Sequence, residues 1–163
     1  MTERQIRLFG DPVLRSVCDP IPAGDPRAAN LIDDLLDTVT VPGRAGVAAN
    51  QIGVGLRAFS YNIDGRIGYM INPVLVEVSG EPELVEEGCL SVPGFFFARL
   101  RYPHARATGI DLHGQPIELE GDNLMAQALQ HETDHLNGHL FIEGLEPDVK
   151  REAMRSIRQA DWY

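Results

Sequence analysis

Cysteine is scarce in this chain: Cys18 and Cys89 are the only two among 163 residues. Two are too few for a disulfide scaffold, and a chain of this length buries enough surface to do without one. Each is therefore read as a thiol, in a reducing cytoplasm. Long apolar runs are also missing, and none approaches the ~20 residues a membrane helix needs. No secretory segment is read, because Glu3 and Arg4 charge the first residues and Arg7, Asp11 and Arg15 interrupt the next apolar stretch. Positive charge is in short supply, with Lys plus Arg at 14 against Asp plus Glu at 24 and a net charge of −10. A chain this acidic repels phosphate backbones, which argues against direct nucleic-acid binding over a broad surface. Repeats, low-complexity tracts and long linkers are absent. What is present is ordinary for a folded domain, 44% hydrophobic and 23% charged. The length predicts one domain over residues 1–163.

Residues 11–26, rich in Pro, Gly and Asp, read as an irregular arm. A helix is predicted next, with Asp25 as N-cap and Pro26 in the first turn. Leu31, Ile32, Leu35, Leu36 and Val39 recur at helical spacing, and Pro42-Gly43 stops the run. Short strands follow at 56–61, 67–71, 73–78, 83–87, 105–111 and 116–119, with Asp64-Gly65 and His113-Gly114 as hairpin turns. A second helix is predicted over 123–137, with Leu124, Ala128, Leu129 and Leu136 on its buried side and Gly138 past its end. A third runs over 147–160. The order implies an α+β fold, antiparallel strands packed around a central helix with one helix before them and one at the C-terminal end.

The strongest chemical signal is His131-Glu132-Thr133-Asp134-His135 in the second helix. Residues four apart share a helical face, so both imidazoles can reach one metal ion. Glu132 can then act as general base on a metal-activated water. A catalytic site needs a third protein ligand and an open position. The downstream candidates are His139, Glu143, Glu146 and Glu152. Upstream stands Cys89 within Glu87-Gly88-Cys89-Leu90-Ser91, where a glycine lets backbone approach closely. A further segment, Gly46-Val47-Ala48-Ala49-Asn50-Gln51, is small and ends in an amide donor suited to an oxyanion. A small metallopeptidase of the two-histidine-helix type and a non-catalytic structural metal module are the alternative readings.

Together these three segments resemble the peptide deformylase family. The second and third match its Glu-Gly-Cys-Leu-Ser and Gln-His-Glu-x-Asp-His-Leu motifs at Glu87–Ser91 and Gln130–Leu136. The first departs from Gly-x-Gly-Leu-Ala-Ala-x-Gln at Arg44 and Val47 and keeps Gly46, Ala48, Ala49 and Gln51. The resemblance implies a cytoplasmic hydrolase that removes the formyl group from the N-formyl-methionine of nascent polypeptides. It implies one divalent ion, Fe(II) with Zn, Ni or Co as substitutes, held by Cys89, His131 and His135. Glu132 would handle the proton, while Gln51 and the Leu90 N–H would receive the developing oxyanion. An extended substrate would pair with backbone at Gly46 and Gly88, with Val47, Leu124 and Ala128 as pocket walls.

Three further expectations rest on single residues or patches. Phe95-Phe96-Phe97 is placed in a loop, as cleft rim or loop anchor. Asp134 is paired with Arg101. The basic group Lys150, Arg151, Arg155 and Arg158 is a candidate docking element for the ribosome.

Overall fold

The computed structural model describes residues 2–163. Three helices, α1 (Ala28–Val39), α2 (Asn123–Leu136) and α3 (Pro147–Ile157), accompany seven strands. The strands are β1 (Gly46–Ala48), β2 (Ala58–Ile63), β3 (Arg66–Ser79), β4 (Glu83–Cys89), β5 (Val92–Arg101), β6 (His104–Ile110) and β7 (Pro116–Asp122). An antiparallel sheet runs β1-β2-β3-β6-β7, and β4 and β5 form a separate two-stranded sheet. This is the expected α+β architecture. Among the described residues no helix is long and apolar enough to cross a membrane.

The apolar stripe of α2, through Met125, Ala126, Leu129 and Leu136, packs against Phe59, Met70, Ala105 and Leu119 of the large sheet. Full burial of each large side chain contributes about 1.5–3 kcal/mol, enough to seat a helix that carries charged residues on its other side. Leu31, Ile32, Leu35 and Val39 of α1 pack with Val47, Ala58 and Ile71. The third cluster joins Val92 and Phe141 to Ala153 and Ile157 of α3. Helix α2 ends in a Schellman arrangement. His139 N–H donates to Asp134 O, Gly138 N–H donates to His135 O, and Gly138 sits at φ 82°.

Both expected hairpin turns form, with Asp64 at φ 51°, Gly65 at φ 77° and Gly114 at φ 75°. Four local expectations change. Helix α1 starts later, at Ala28, because the Asp25 carboxylate takes the Arg27 N–H and closes a turn ahead of the helix. Helix α3 ends earlier, at Ile157, and runs on as turns. The two strands expected on either side of Asn72-Pro73 are one strand, β3, with a register shift there. Asn72 tolerates the left-handed conformation, φ 50°, and its side chain pairs with the Ile21 backbone in both directions, so the bulge is held from outside the sheet. The phenylalanine run lies within β5, with Phe95 in an unpaired bulge and Phe96 and Phe97 paired with β4. Pro93-Gly94 reads as a breaker, but Gly94 at φ 83° makes a bulge after which pairing with β4 resumes.

Candidate active site

Helix α2 places His131 and His135 one turn apart with their Nε2 atoms 3.1 Å from each other. Strand β4 brings in Cys89, whose Sγ lies 3.3 Å from His135 Nε2. One donor atom from each of these three residues falls within 4.8 Å of the other two. The downstream ligand candidate His139 is exposed and pairs with Glu143 at 2.7 Å instead.

Strand alternation puts Glu87 on the same face as Cys89. The Glu87 carboxylate lies 2.9 Å from His131 Nδ1 and takes a two-pronged bond from Arg101, at 2.8 and 2.7 Å. Arg101 also reaches Asp134 at 2.8 Å, the pairing expected from sequence. The Glu87–His131 contact was not: strand periodicity could have shown that Glu87 faces inward, but not its partner. This contact fixes the ring so that Nε2 faces His135, as an orienting carboxylate does for a ligand histidine.

The electrostatics follow from burial and these bonds. Burial raises the Glu87 carboxyl, but the hydrogen bonds from Arg101 and His131 outweigh it and hold it well below the usual carboxylate range. Burial lowers His131, yet hydrogen bonds to Cys89 and Glu87 outweigh that and raise it. His135 is lowered by burial and by the charge on His131. Burial pushes the Glu132 carboxyl up to about 7, against the pull of His131. Glu132 is only 3% exposed, and its Oε2 has no hydrogen-bond partner among the described residues.

Gln51 sits buried in the single turn Ala49–Ile52 that follows β1. The Ala48 N–H donates to its Oε1 at 2.9 Å, which fixes the amide orientation and turns Nε2 toward Ser91 Oγ at 3.2 Å and Cys89 Sγ at 3.6 Å. Its neighbour Asn50, unnoticed in the sequence, donates to the His135 carbonyl at 2.6 Å and ties this turn to α2.

Above these groups opens a cleft of about 590 Å³. Gly46, Gly88, Leu90, Leu124 and Ala128 line it as expected, and so does Gln127, which the sequence reading missed. A Cβ at position 46 would strike Glu132 Oε1, so glycine there leaves room for the carboxylate where it stands. Leu124 is 45% exposed at the cleft, not part of the buried side assigned to it. Val47 does not reach the cleft. Gly46 faces it, so the next residue of the strand points the other way, and Val47 is buried with α1. Phe95 and Phe96 line the cleft, whereas Phe97 stacks on Phe141, so the run is both rim and anchor. Arg44 is tethered, donating to Thr38 O and Glu3 Oε1 at 2.8 Å each.

This geometry agrees with what the chain resembles. The sequence profile of the polypeptide deformylase family matches residues 3–151. The peptide deformylase of Parafrankia sp. is 48% identical over 163 residues, covering 99% of this chain and 89% of that one. That of Acidothermus cellulolyticus is 47% identical over 162 residues, with the same coverage. Among solved structures, a peptide deformylase from Legionella pneumophila superposes with a TM-score of 0.89 at 36% identity, covering 97% of this chain and 95% of that one. One from Ehrlichia chaffeensis in complex with actinonin gives 0.88 at 30% identity over 100% of both chains. With the profile matching nearly the whole length and relatives this similar, the chain belongs to the polypeptide deformylase family.

Proposed function

We propose that this enzyme hydrolyses the formyl amide of N-formyl-methionine at the start of nascent polypeptides in the cytoplasm, releasing formate. The observation that carries the reading is the convergence of Cys89, His131 and His135 beneath a cleft that also holds Glu132 and Gln51. A peptidase with a downstream ligand is disfavoured by the outward pairing of His139. A closed structural site is disfavoured because the ligand group found among the described residues has three members and not four.

The three residues fit a divalent ion. Sulfur and two imidazole nitrogens face one point, and Glu87 orients His131 from behind. We assign Fe(II) to the site, with Zn, Ni or Co able to replace it. When bound, such an ion supplies Lewis acidity, lowering the pKa of water and polarising the formyl oxygen.

The chain's own residues do the rest. Glu132, buried and unpaired at Oε2, accepts a proton from the attacking water and delivers one to the departing methionine nitrogen. Gln51 Nε2 and the Leu90 N–H donate to the formyl oxygen as charge builds on it. Gln51 is pre-oriented by Ala48, so little reorganisation is needed. Among the described residues strand β1 pairs with β2 alone, which leaves an edge at Gly46 where an extended peptide can add between it and Gly88. Leu124 and Ala128 offer apolar surface to the methionine side chain. Protein purified without oxygen and loaded with Fe(II) or Ni(II) should release formate from a formyl-methionyl tripeptide. A chelator should abolish release and added ion restore it. Stable metal binding without any turnover would overturn the reading.

The basic face of α3 is the proposed contact with the ribosome. Arg151 pairs with Asp148, and Arg155 with Glu152, within the helix. Deleting α3 would also remove Ala153 and Ile157 from the core, so charge reversal is the cleaner test. Lys150→Glu with Arg158→Glu should reduce co-sedimentation with ribosomes at low salt while formate release from the tripeptide is retained. Undiminished co-sedimentation would remove this contact.

A further inference from the structure

Part of the cleft wall has no strand partner. Cys89 pairs with Val92, and the next pair is Gly88 with Phe96, so residues 93–95 are looped out of the β4–β5 ladder. Those same residues, Pro93, Gly94 and Phe95, line the cleft. A bulge without ladder bonds is held by whatever packs behind it.

Behind it stands Trp162, in the stretch that follows α3. Its Nε1–H donates to the Pro93 carbonyl at 3.0 Å. Its ring meets Phe95 edge-on, with centroids 6.3 Å apart. Phe95 stacks on Phe97 at 6.1 Å, Phe97 on Phe141 at 6.2 Å, and Phe141 lies 6.3 Å from the His131 ring. The next residue, Tyr163, stacks on Phe9, whose N–H donates to Ser91 O in the turn between β4 and β5. The segment after α3 therefore clasps the cleft wall at Pro93 and Phe95, and the turn beside it through Phe9.

We propose that Trp162 is a positioning residue for substrate binding: it holds the Pro93–Phe95 wall at the depth the peptide needs and couples the α3 side of the molecule to the cleft. The inference rests on the deformylase reading. It concerns affinity and not the chemical step, because Trp162 touches the wall and none of the groups assigned to proton transfer.

The test uses the metal-loaded enzyme, Trp162→Phe and Trp162→Ala, assayed well below their unfolding temperatures at equal metal content. Losing the hydrogen bond and the ring contact together should free the wall by about a factor of ten, so Trp162→Ala should raise KM about tenfold. Trp162→Phe keeps a ring and should raise it about threefold. In both, kcat should stay within about twofold, the signature of lost binding rather than lost chemistry. Trp162 is the only tryptophan in the chain. Its emission should therefore shift when the unformylated methionyl tripeptide saturates the parent enzyme. An unchanged KM in Trp162→Ala, a fall in kcat at constant KM, or flat emission at saturating peptide would each overturn the inference. A parent enzyme that releases no formate would instead defeat the deformylase reading.

Discussion

Glu132→Ala is expected to lower kcat about a thousandfold while leaving the bound metal in place, within the range a positioned general acid–base contributes. Glu132 is adjacent to a ligand histidine but is not one of the three converging donors. Its carboxyl is buried, raised to about 7 by that burial, and unpaired at Oε2. An unpaired buried carboxylate is costly to keep, so it is better explained by the reaction than by stability. Glu132→Gln keeps the shape and removes the proton acceptor. It should lose as much activity as the alanine variant and unfold at the same or a higher temperature. Metal analysis, steady-state formate release and calorimetry on the three proteins decide the matter. A glutamine variant with near-normal kcat would remove Glu132 from proton transfer.

The second large effect concerns stability. Arg101 and Glu87 are 5% and 2% exposed and bonded through two prongs. Arg101→Met strands the Glu87 charge in the interior, and breaking a buried pair by removing one partner costs about 3–5 kcal/mol. In a chain of this size that corresponds to a fall in Tm of roughly 10 °C. The double variant Arg101→Met with Glu87→Gln should be less damaged than Arg101→Met alone, because no charge is left behind. The double variant should weaken metal binding by about 10–100-fold, since Glu87→Gln removes the carboxylate that orients His131. The sign with pH follows from the depressed carboxyl of Glu87. Stability from the pair is present above the ordinary carboxylate value and is lost as pH falls through the folded-state value. Equal Tm values for the parent and Arg101→Met would show that the pair does not stabilise the fold.

Much of the molecule was legible from residues close together in the chain. The helical period identified α2, and four-residue spacing put His131 and His135 on one face. Turn chemistry located Asp64-Gly65, His113-Gly114 and the end of α2 at Gly138. Two of the readings that failed were ones in which a distant group overrode a local signal. Asn72-Pro73 looked like a strand boundary, but Ile21 holds the bulge and the strand continues. Pro93-Gly94 looked like a loop, but β4 recaptures the chain at Phe96. Val47 looked like a pocket wall because its motif belongs to the site, and the face it turns to was set by Gly46 one residue earlier.

The site divides along the same line. Residue types and short spacing brought forward His131, His135 and the Glu132 between them, because a helix relates neighbours by a fixed period, whereas the choice of Cys89 as third ligand and of Gln51 and Leu90 as oxyanion donors came from the resemblance to the family. The distances that make these residues a site span long stretches of chain, 46 residues from Cys89 to His135 and 38 from Gln51 to Cys89. No local period relates such positions. Their meeting depends on the seating of α2 on the large sheet and on the placing of β4 across its ligand face. The same packing decided that Glu87 would meet Arg101 and His131, and that Trp162 would close behind Pro93.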